Sequence, residues 1–275
     1  MELKLVWIIA RRELRESLRN KWLWLFAIGF AVLALALSQA GLATAGYSGL
    51  GGFGRTAASL INVILLFAPL IGLSVGSNVL AADRERGTLL YLMAQPVSKS
   101  EIFWGKSLGA AMAVACALAL GFGLAALGLA SSRDGHADVY LMLVGFTLLL
   151  AFASLAIGFV IGARARKGAT AMGMALLVWL VLVFGGDLGL LGVTVALRPS
   201  PDVLVAGLFA NPLQVFKLGA IYGLRATLDT LGVAGQYAMY RFGAALPWVL
   251  AGLLVAWSVG GFGLAFAMFN RRGDA

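Results

Sequence analysis

Between Val139 and Ala163 this chain runs for 25 residues without one charged side chain. A helix of that length rises ~37 Å at ~1.5 Å per residue, enough to cross the ~30 Å hydrocarbon core of a bilayer. Comparable runs recur along the sequence, and the polar segments between them have to stay outside the lipid. A charge left in hydrocarbon costs roughly 2.5 to 3.5 kcal/mol even on the lenient insertion scale. Only 12% of the 275 residues are charged and 61% are hydrophobic, against about 25% charged in soluble domains. That leaves too little polar surface to cover a globule, so the expected class is an all-α polytopic membrane protein.

The runs predict six spans, at residues 22–40, 57–82, 106–130, 139–163, 169–186 and 243–269, in one transmembrane domain covering 1–275. The 57–82 run is long enough to tilt and should be kinked or loosened at Pro69. Trp22 and Trp24 form an aromatic belt at the entry to the first span. A cleaved signal peptide is the rival reading of that span, but an amphipathic leader holding Glu13 and Glu16 argues against it. Gly158 and Gly162 supply a small-xxx-small helix contact.

Ahead of the first span, residues 1–21 hold six bases and three acids. Leu3, Trp7, Ala10, Leu14 and Leu18 fall on one helical side, while Arg11, Arg15 and Arg19 line another beside Arg12. This predicts an amphipathic helix lying in the interface, with Trp7 at headgroup depth. The net charge of +9 clusters beside apolar runs, which points to membrane lipids with anionic headgroups and away from nucleic acid.

Counting bases sets the orientation. With both termini inside, the inner segments carry 15 Lys and Arg and the outer ones six, so the positive-inside rule predicts N-in, C-in. The glycine-rich stretch 41–56 is then an outer connector. Its Gly49, Gly51 and Gly54 spell GxGxxG, but no strand precedes them and a span follows, so a phosphate loop is excluded. His136, between Asp134 and Asp138, sits in another outer loop, and no metal site is expected there. Residues 197–242 form the longest non-spanning segment. Asn211 and Pro212 there read as a helix start, and Lys217 and Arg225 beside Phe216 suggest short amphipathic helices on the outer face.

Polar residues within the spans are few. Asn62, Asn78 and Asp187 are candidates for a path, although helix-to-helix hydrogen bonding explains the asparagines more simply. Asp187 falls ~30 Å along a helix from Lys167, at the outer boundary of its span. A proton-coupled carrier would therefore stand or fall on Asp187. The chain shows no catalytic constellation and no nucleotide site. Gly105-Lys106-Ser107 looks like the end of a P-loop, but its first glycine is replaced by Ser100.

Residues 83–105 stand apart as an inner segment that combines acids, bases, a glycine, a proline and a helix cap. Asp83, Arg84, Glu85 and Arg86 open it, Gly87 and Thr88 follow, and Leu89, Leu92 and Met93 share one helical side. Pro96 should end that helix, and Ser98 with Glu101 forms a capping box that starts the next. Two rigid helices meeting at a corner can transmit a push or a pull between spans.

At these residues the chain resembles the ABC-2 type permease family, whose hallmark is an E-x-G-T-L helix followed by P-[VI]-S-x-x-E and a glycine-lysine pair. Here the pattern reads Glu85, Gly87, Thr88 and Leu89, then Pro96, Val97, Ser98 and Glu101, then Gly105 and Lys106. The N-terminal RRELRESLRNKW and the six-span count fit the same family. The resemblance implies a homodimer in a bacterial inner membrane, with two copies of a cytoplasmic ATPase that hold the ATP and Mg and dock on residues 83–101 and on the N-terminal helix. The permease itself would bind no cofactor and catalyse nothing. Residues 55–62, 68–71 and 211–217 resemble the branch of the family that serves maturation of nitrous oxide reductase. That branch implies a periplasmic partner at Asn211, Pro212, Phe216, Lys217 and Arg225, and delivery of copper or sulfur to a copper-sulfide centre. An ABC-2 exporter of a lipid, polysaccharide or drug, and a nucleotide-independent scaffold, are the alternatives.

Overall fold

The protein is described by a computed structural model covering residues 2–48, 51–129, 137–197, 200–223 and 232–271. Every regular element among them is helical. In order they are α1 (Leu3–Ser17), α2 (Lys21–Ser48), α3 (Gly51–Glu85), α4 (Thr88–Met93), α5 (Lys99–Leu129) and α6 (Ala137–Arg164), then α7 (Gly168–Leu197), α8 (Pro201–Phe209), α9 (Pro212–Gly223), α10 (Gly232–Phe242) and α11 (Leu246–Arg271).

Five helical stretches are long and apolar enough to cross a membrane: Ser59–Glu85, Lys99–Leu124, Tyr140–Arg164, Gly168–Gly189 and Gly235–Arg271. Two bent pairs, α1 with the start of α2 at 68° and α8 with α9 at 105°, raise the number to as many as seven. Six spans lie within that range, but length and composition do not single the number out. The bend between α1 and α2 is held by Asn20, whose side chain accepts from the Trp22 N–H at 2.9 Å, and by the Trp24 indole donating to the Leu18 carbonyl at 2.6 Å.

Several expected boundaries move. The 41–56 connector is largely helical, because α2 continues to Ser48 and α3 already begins at Gly51. Small residues that look like a loop in sequence satisfy their backbone groups best as helix at membrane depth. Helix α3 passes through Pro69 without a break, and α7 runs through Asp187 to Leu197. The last span is entered through a short 3-10 turn at Gly243–Ala245, with Gly243 at φ +52°. His136 and Arg225 lie outside the described residues.

The core is the α3, α6 and α11 packing, framed by α2, α5 and α9. Helices α3 and α6 meet through glycines: a Cβ at Gly158 would lie 2.8 Å from the Leu73 carbonyl, and one at Gly162 would lie 2.7 Å from that of Ser77. The small-xxx-small expectation at Gly158 and Gly162 therefore holds, and Gly72 and Gly76 supply the facing half. Such close backbones gain dispersion energy where lipid offers no hydrophobic driving force.

Helix α9 overturns an expectation. The sequence predicts an amphipathic, surface-lying helix here, with Asn211, Pro212 and Phe216 open to a partner. In the fold it is buried among α3, α6, α7 and α11, with Asn211, Pro212 and Phe216 inside. Its few polar groups are satisfied internally, which removes the cost of burying them. The Asn211 amide donates to the Leu182 carbonyl at 2.7 Å and its oxygen caps α9 by accepting from the Leu213 N–H at 2.9 Å. The Gln214 amide and the Lys217 ammonium donate to Asp187 at 2.7 and 3.1 Å. Of the expected outer contacts among the described residues, Lys217 alone stays partly open.

Candidate functional site

The polar residues converge where α1, the end of α3, α4, the start of α5 and the α6–α7 turn meet. Gly87 makes the corner: its φ of +71° belongs to the left-handed region, where a Cβ is penalised. That reverses the chain after α3, so α4 can start at Thr88 and tuck Leu89 into the core. Leu92, Met93 and Val97 also face the core. The opposite side of α4 is left bare, with Leu90 61% and Tyr91 67% exposed.

The segment ends on the capping box read from sequence. The Ser98 hydroxyl accepts from the Glu101 N–H at 3.3 Å, and the Ser98 N–H donates to Glu101 Oε2 at 2.9 Å. The second carboxylate oxygen of Glu101 accepts from the Glu2 N–H at 2.6 Å. One glutamate thus fixes the entry to α5 and the first turn of α1 together.

The four charged residues that open the segment are divided between interior and rim. The Asp83 side chain is buried, with Lys106 Nζ at 2.5 Å on one oxygen and Arg86 at 3.1 Å on the other. Lys106 also meets Glu13 of α1 at 2.5 Å, and Ser17 donates to the other oxygen of Glu13 at 3.2 Å. Arg86 continues the chain to Glu16 at 2.5 Å. Arg84 turns inward and donates to the carbonyls of Gly162, at 3.2 Å, Ala163 and Ala165, where α6 ends. Glu85 accepts from the Gly168 N–H at 2.8 Å and caps α7. Asp83 and Arg84 therefore fasten the inner ends of the helices to one another.

The glycine-lysine pair has a structural role of its own. A Cβ at Gly105 would lie 2.7 Å from that of Ile9 and 3.0 Å from the Val6 carbonyl, so only glycine lets α1 close on α5. Lys106 then reaches between α1 and α3. The contacting side of α1 is Val6, Ala10, Glu13 and Ser17, while Leu3 and Trp7 are exposed. Glu13, Glu16, Leu90 and Tyr91 were not singled out from sequence as site residues; two acids embedded in a run of arginines were the available signal.

A cleft of about 590 Å³ opens between α1 and the inner part of α3. Arg12 and Arg15 line it from α1, Arg19 from the turn that follows, and Asn78 from α3. The candidate path residues do not gather: Asn62 is exposed, Asn78 is at this inner cleft, and Asp187 is paired with α9. Asn62 and Asn78 alone are ~24 Å apart along one helix. Among the described residues no three His, Cys, Asp or Glu side chains are placed to hold a metal ion.

Residues 7–273 match the family model described as ABC-2 family transporter protein. The chain belongs to the ABC-2 transporter family. It is 32% identical to the probable ABC transporter permease protein NosY of Stutzerimonas stutzeri, over 97% of this chain and 98% of that protein. It is 33% identical to the probable ABC transporter permease protein NosY of Pseudomonas aeruginosa, over the same shares. This ABC-2 chain is thus a NosY-like permease subunit, a multi-pass protein of the inner membrane. Its family hallmark has a physical reading here: Glu85 caps a helix, Gly87 turns the chain, Leu89 anchors α4, and Lys106 neutralises buried acids.

Proposed function

We propose that the chain converts ATP-driven movement of a separate cytoplasmic ATPase into rearrangement of the transmembrane helices. The observation that carries this is α4, a short helix between the Gly87 corner and the Ser98–Glu101 capping box of α5, anchored by buried Leu89, whose outer side, Leu90 and Tyr91, is apolar and uncovered. Exposed large apolar groups on a rigid element are what a partner's groove takes up. Two ATPase copies would serve a homodimer of this chain, with ATP and Mg held by the ATPase and no cofactor by the permease. Inner and outer faces follow the positive-inside rule, so α4 is cytoplasmic.

The NosY-like similarity supports a narrower role, in assembly of the copper-sulfide centre of nitrous oxide reductase, with a periplasmic protein resembling NosD on the outer side. That partner would meet the Lys217 end of α9 and the exposed side of α10, where Tyr240 is uncovered. Nothing in the transmembrane core requires a polar path for this, because motion alone can be passed across.

The test is co-purification in mild detergent from cells that also express the partner ATPase. Leu90→Asp and Tyr91→Asp are expected to leave the permease folded and inserted but to release the ATPase or abolish its permease-dependent hydrolysis. Normal co-purification and normal hydrolysis in both variants would sink the proposal.

A further inference from the structure

We propose that the arginine-walled cleft between α1 and the inner part of α3 binds the phosphate of an anionic membrane lipid. The inference rests on α1 lying in the membrane interface, as its sequence predicts, and on the membrane-subunit reading above. Arg12 and Arg15 are three residues apart and project from one side of α1, and Arg19 follows in the turn just past its end. All three line the cleft, whose volume of about 590 Å³ is ample for a glycerophosphate group.

The acids at the same cleft are already engaged. Glu13 is paired with Lys106, Glu16 with Arg86, and Glu85 with the Gly168 N–H. Among the described residues no ion pair takes up Arg12, Arg15 or Arg19. Three guanidinium groups therefore line an open cavity without an ion-pair partner among the described residues, and a planar guanidinium matches phosphate geometry closely.

The surroundings favour a lipid as the source of that phosphate. Trp7 and Ile8 on α1, and Trp22, Trp24 and Leu25 just past the bend, are all exposed. Tryptophans of this kind sit at the level of the headgroups, which places the cleft there too. Its α3 wall adds Val75 and Val79 beside Asn78, an apolar surface for the glycerol and upper acyl carbons with an amide for the headgroup. Basic pockets between helices on the cytoplasmic side are a recurrent site for anionic lipid heads. The ATPase contact proposed above is carried by Leu90 and Tyr91 of α4; the N-terminal helix, which the family resemblance also offers the ATPase, is distinguished from a lipid site by the test below.

Native mass spectrometry on the full chain, with any ATPase that co-purifies, tests this. The probes are short-chain phosphatidylglycerol, phosphatidylcholine of the same chain length, and sodium phosphate. Phosphatidylglycerol is expected to bind at least about tenfold more tightly than phosphatidylcholine, a preference lost in the combined Arg12→Gln, Arg15→Gln, Arg19→Gln variant. The combined lysine variant at these positions should keep most of it, and Arg241→Gln all of it. If the triple glutamine variant does not fold, Arg15→Gln alone should weaken phosphatidylglycerol by about fivefold, and no change would overturn the proposal. Equal binding of the two lipids would also overturn it, as would sodium phosphate displacing phosphatidylglycerol at equal concentration. Loss of the ATPase from the triple variant with lipid preference intact would assign the cleft to the protein partner instead. Because lipid binding is read separately from hydrolysis, a failure here leaves the coupling role of α4 standing.

Discussion

Lys106 is the residue on which the inner end depends most. Its ammonium is 3% exposed and has Glu13 and Asp83 each at 2.5 Å. Replacing it by methionine leaves two carboxylates buried without their shared cation. Removing one partner of a buried ion pair costs about 3 to 5 kcal/mol, so Lys106→Met should lower the thermal midpoint in detergent substantially. Adding Glu13→Gln and Asp83→Asn should restore most of it, since a neutral, well-packed cluster is often no less stable than an ionic one. An unchanged midpoint in Lys106→Met would show that the cluster contributes nothing. The capping pair Ser98 and Glu101 was legible in sequence because it is local, three residues apart and just ahead of an apolar run. The Glu13 to Lys106 pair is 93 residues apart, and a linear reading shows that both are charged without showing that they point inward.

At the scale of elements, the tightest contact is the glycine seam between α3 and α6. A Cβ at Gly76 would already lie 3.0 Å from the Phe159 nitrogen and 3.1 Å from the Gly158 Cα, so Gly76→Leu must push the two helices apart. Overpacking of this kind typically costs about 1 to 3 kcal/mol, here with loss of the inner network that both helices anchor. Gly252→Leu on α11 meets nothing within 4 Å and should leave the midpoint unchanged. Comparing the two midpoints checks the seam, and equal behaviour would refute it. The α6 half of the seam could be read directly, as Gly158 and Gly162. Helix α9 could not: Gln214 and Lys217 look like a solvated face until Asp187, 27 and 30 residues earlier, is seen to receive them. The apolar stretches themselves were legible because apolar length is a local property, whereas their number, five to seven in the fold, and their ends were not, since small residues such as those of 41–56 suit loop and helix alike.

For the whole molecule, orientation decides what every surface can meet. The 15 inner bases against six outer ones predict that α4 and the arginine cleft face the cytoplasm and that α10 faces the periplasm. The chain has a single cysteine, Cys116, so a Cys116→Ala background makes reporter thiols straightforward to place. Tyr91→Cys and Tyr240→Cys occupy well-exposed positions, 67% and 89% respectively, on α4 and α10. In cells with a permeabilised outer membrane, a membrane-impermeant maleimide should label Tyr240→Cys and spare Tyr91→Cys until the inner membrane is opened. The reverse pattern would place α4 on the periplasmic side and remove the ATPase contact with it. Labelling of both from one side would instead require an odd number of crossings between α4 and α10 to become even. It would thereby overturn the arrangement in which α5, α6 and α7 each cross once between them, and the charge count would then have failed over the long 197–242 segment, where the rule has least weight.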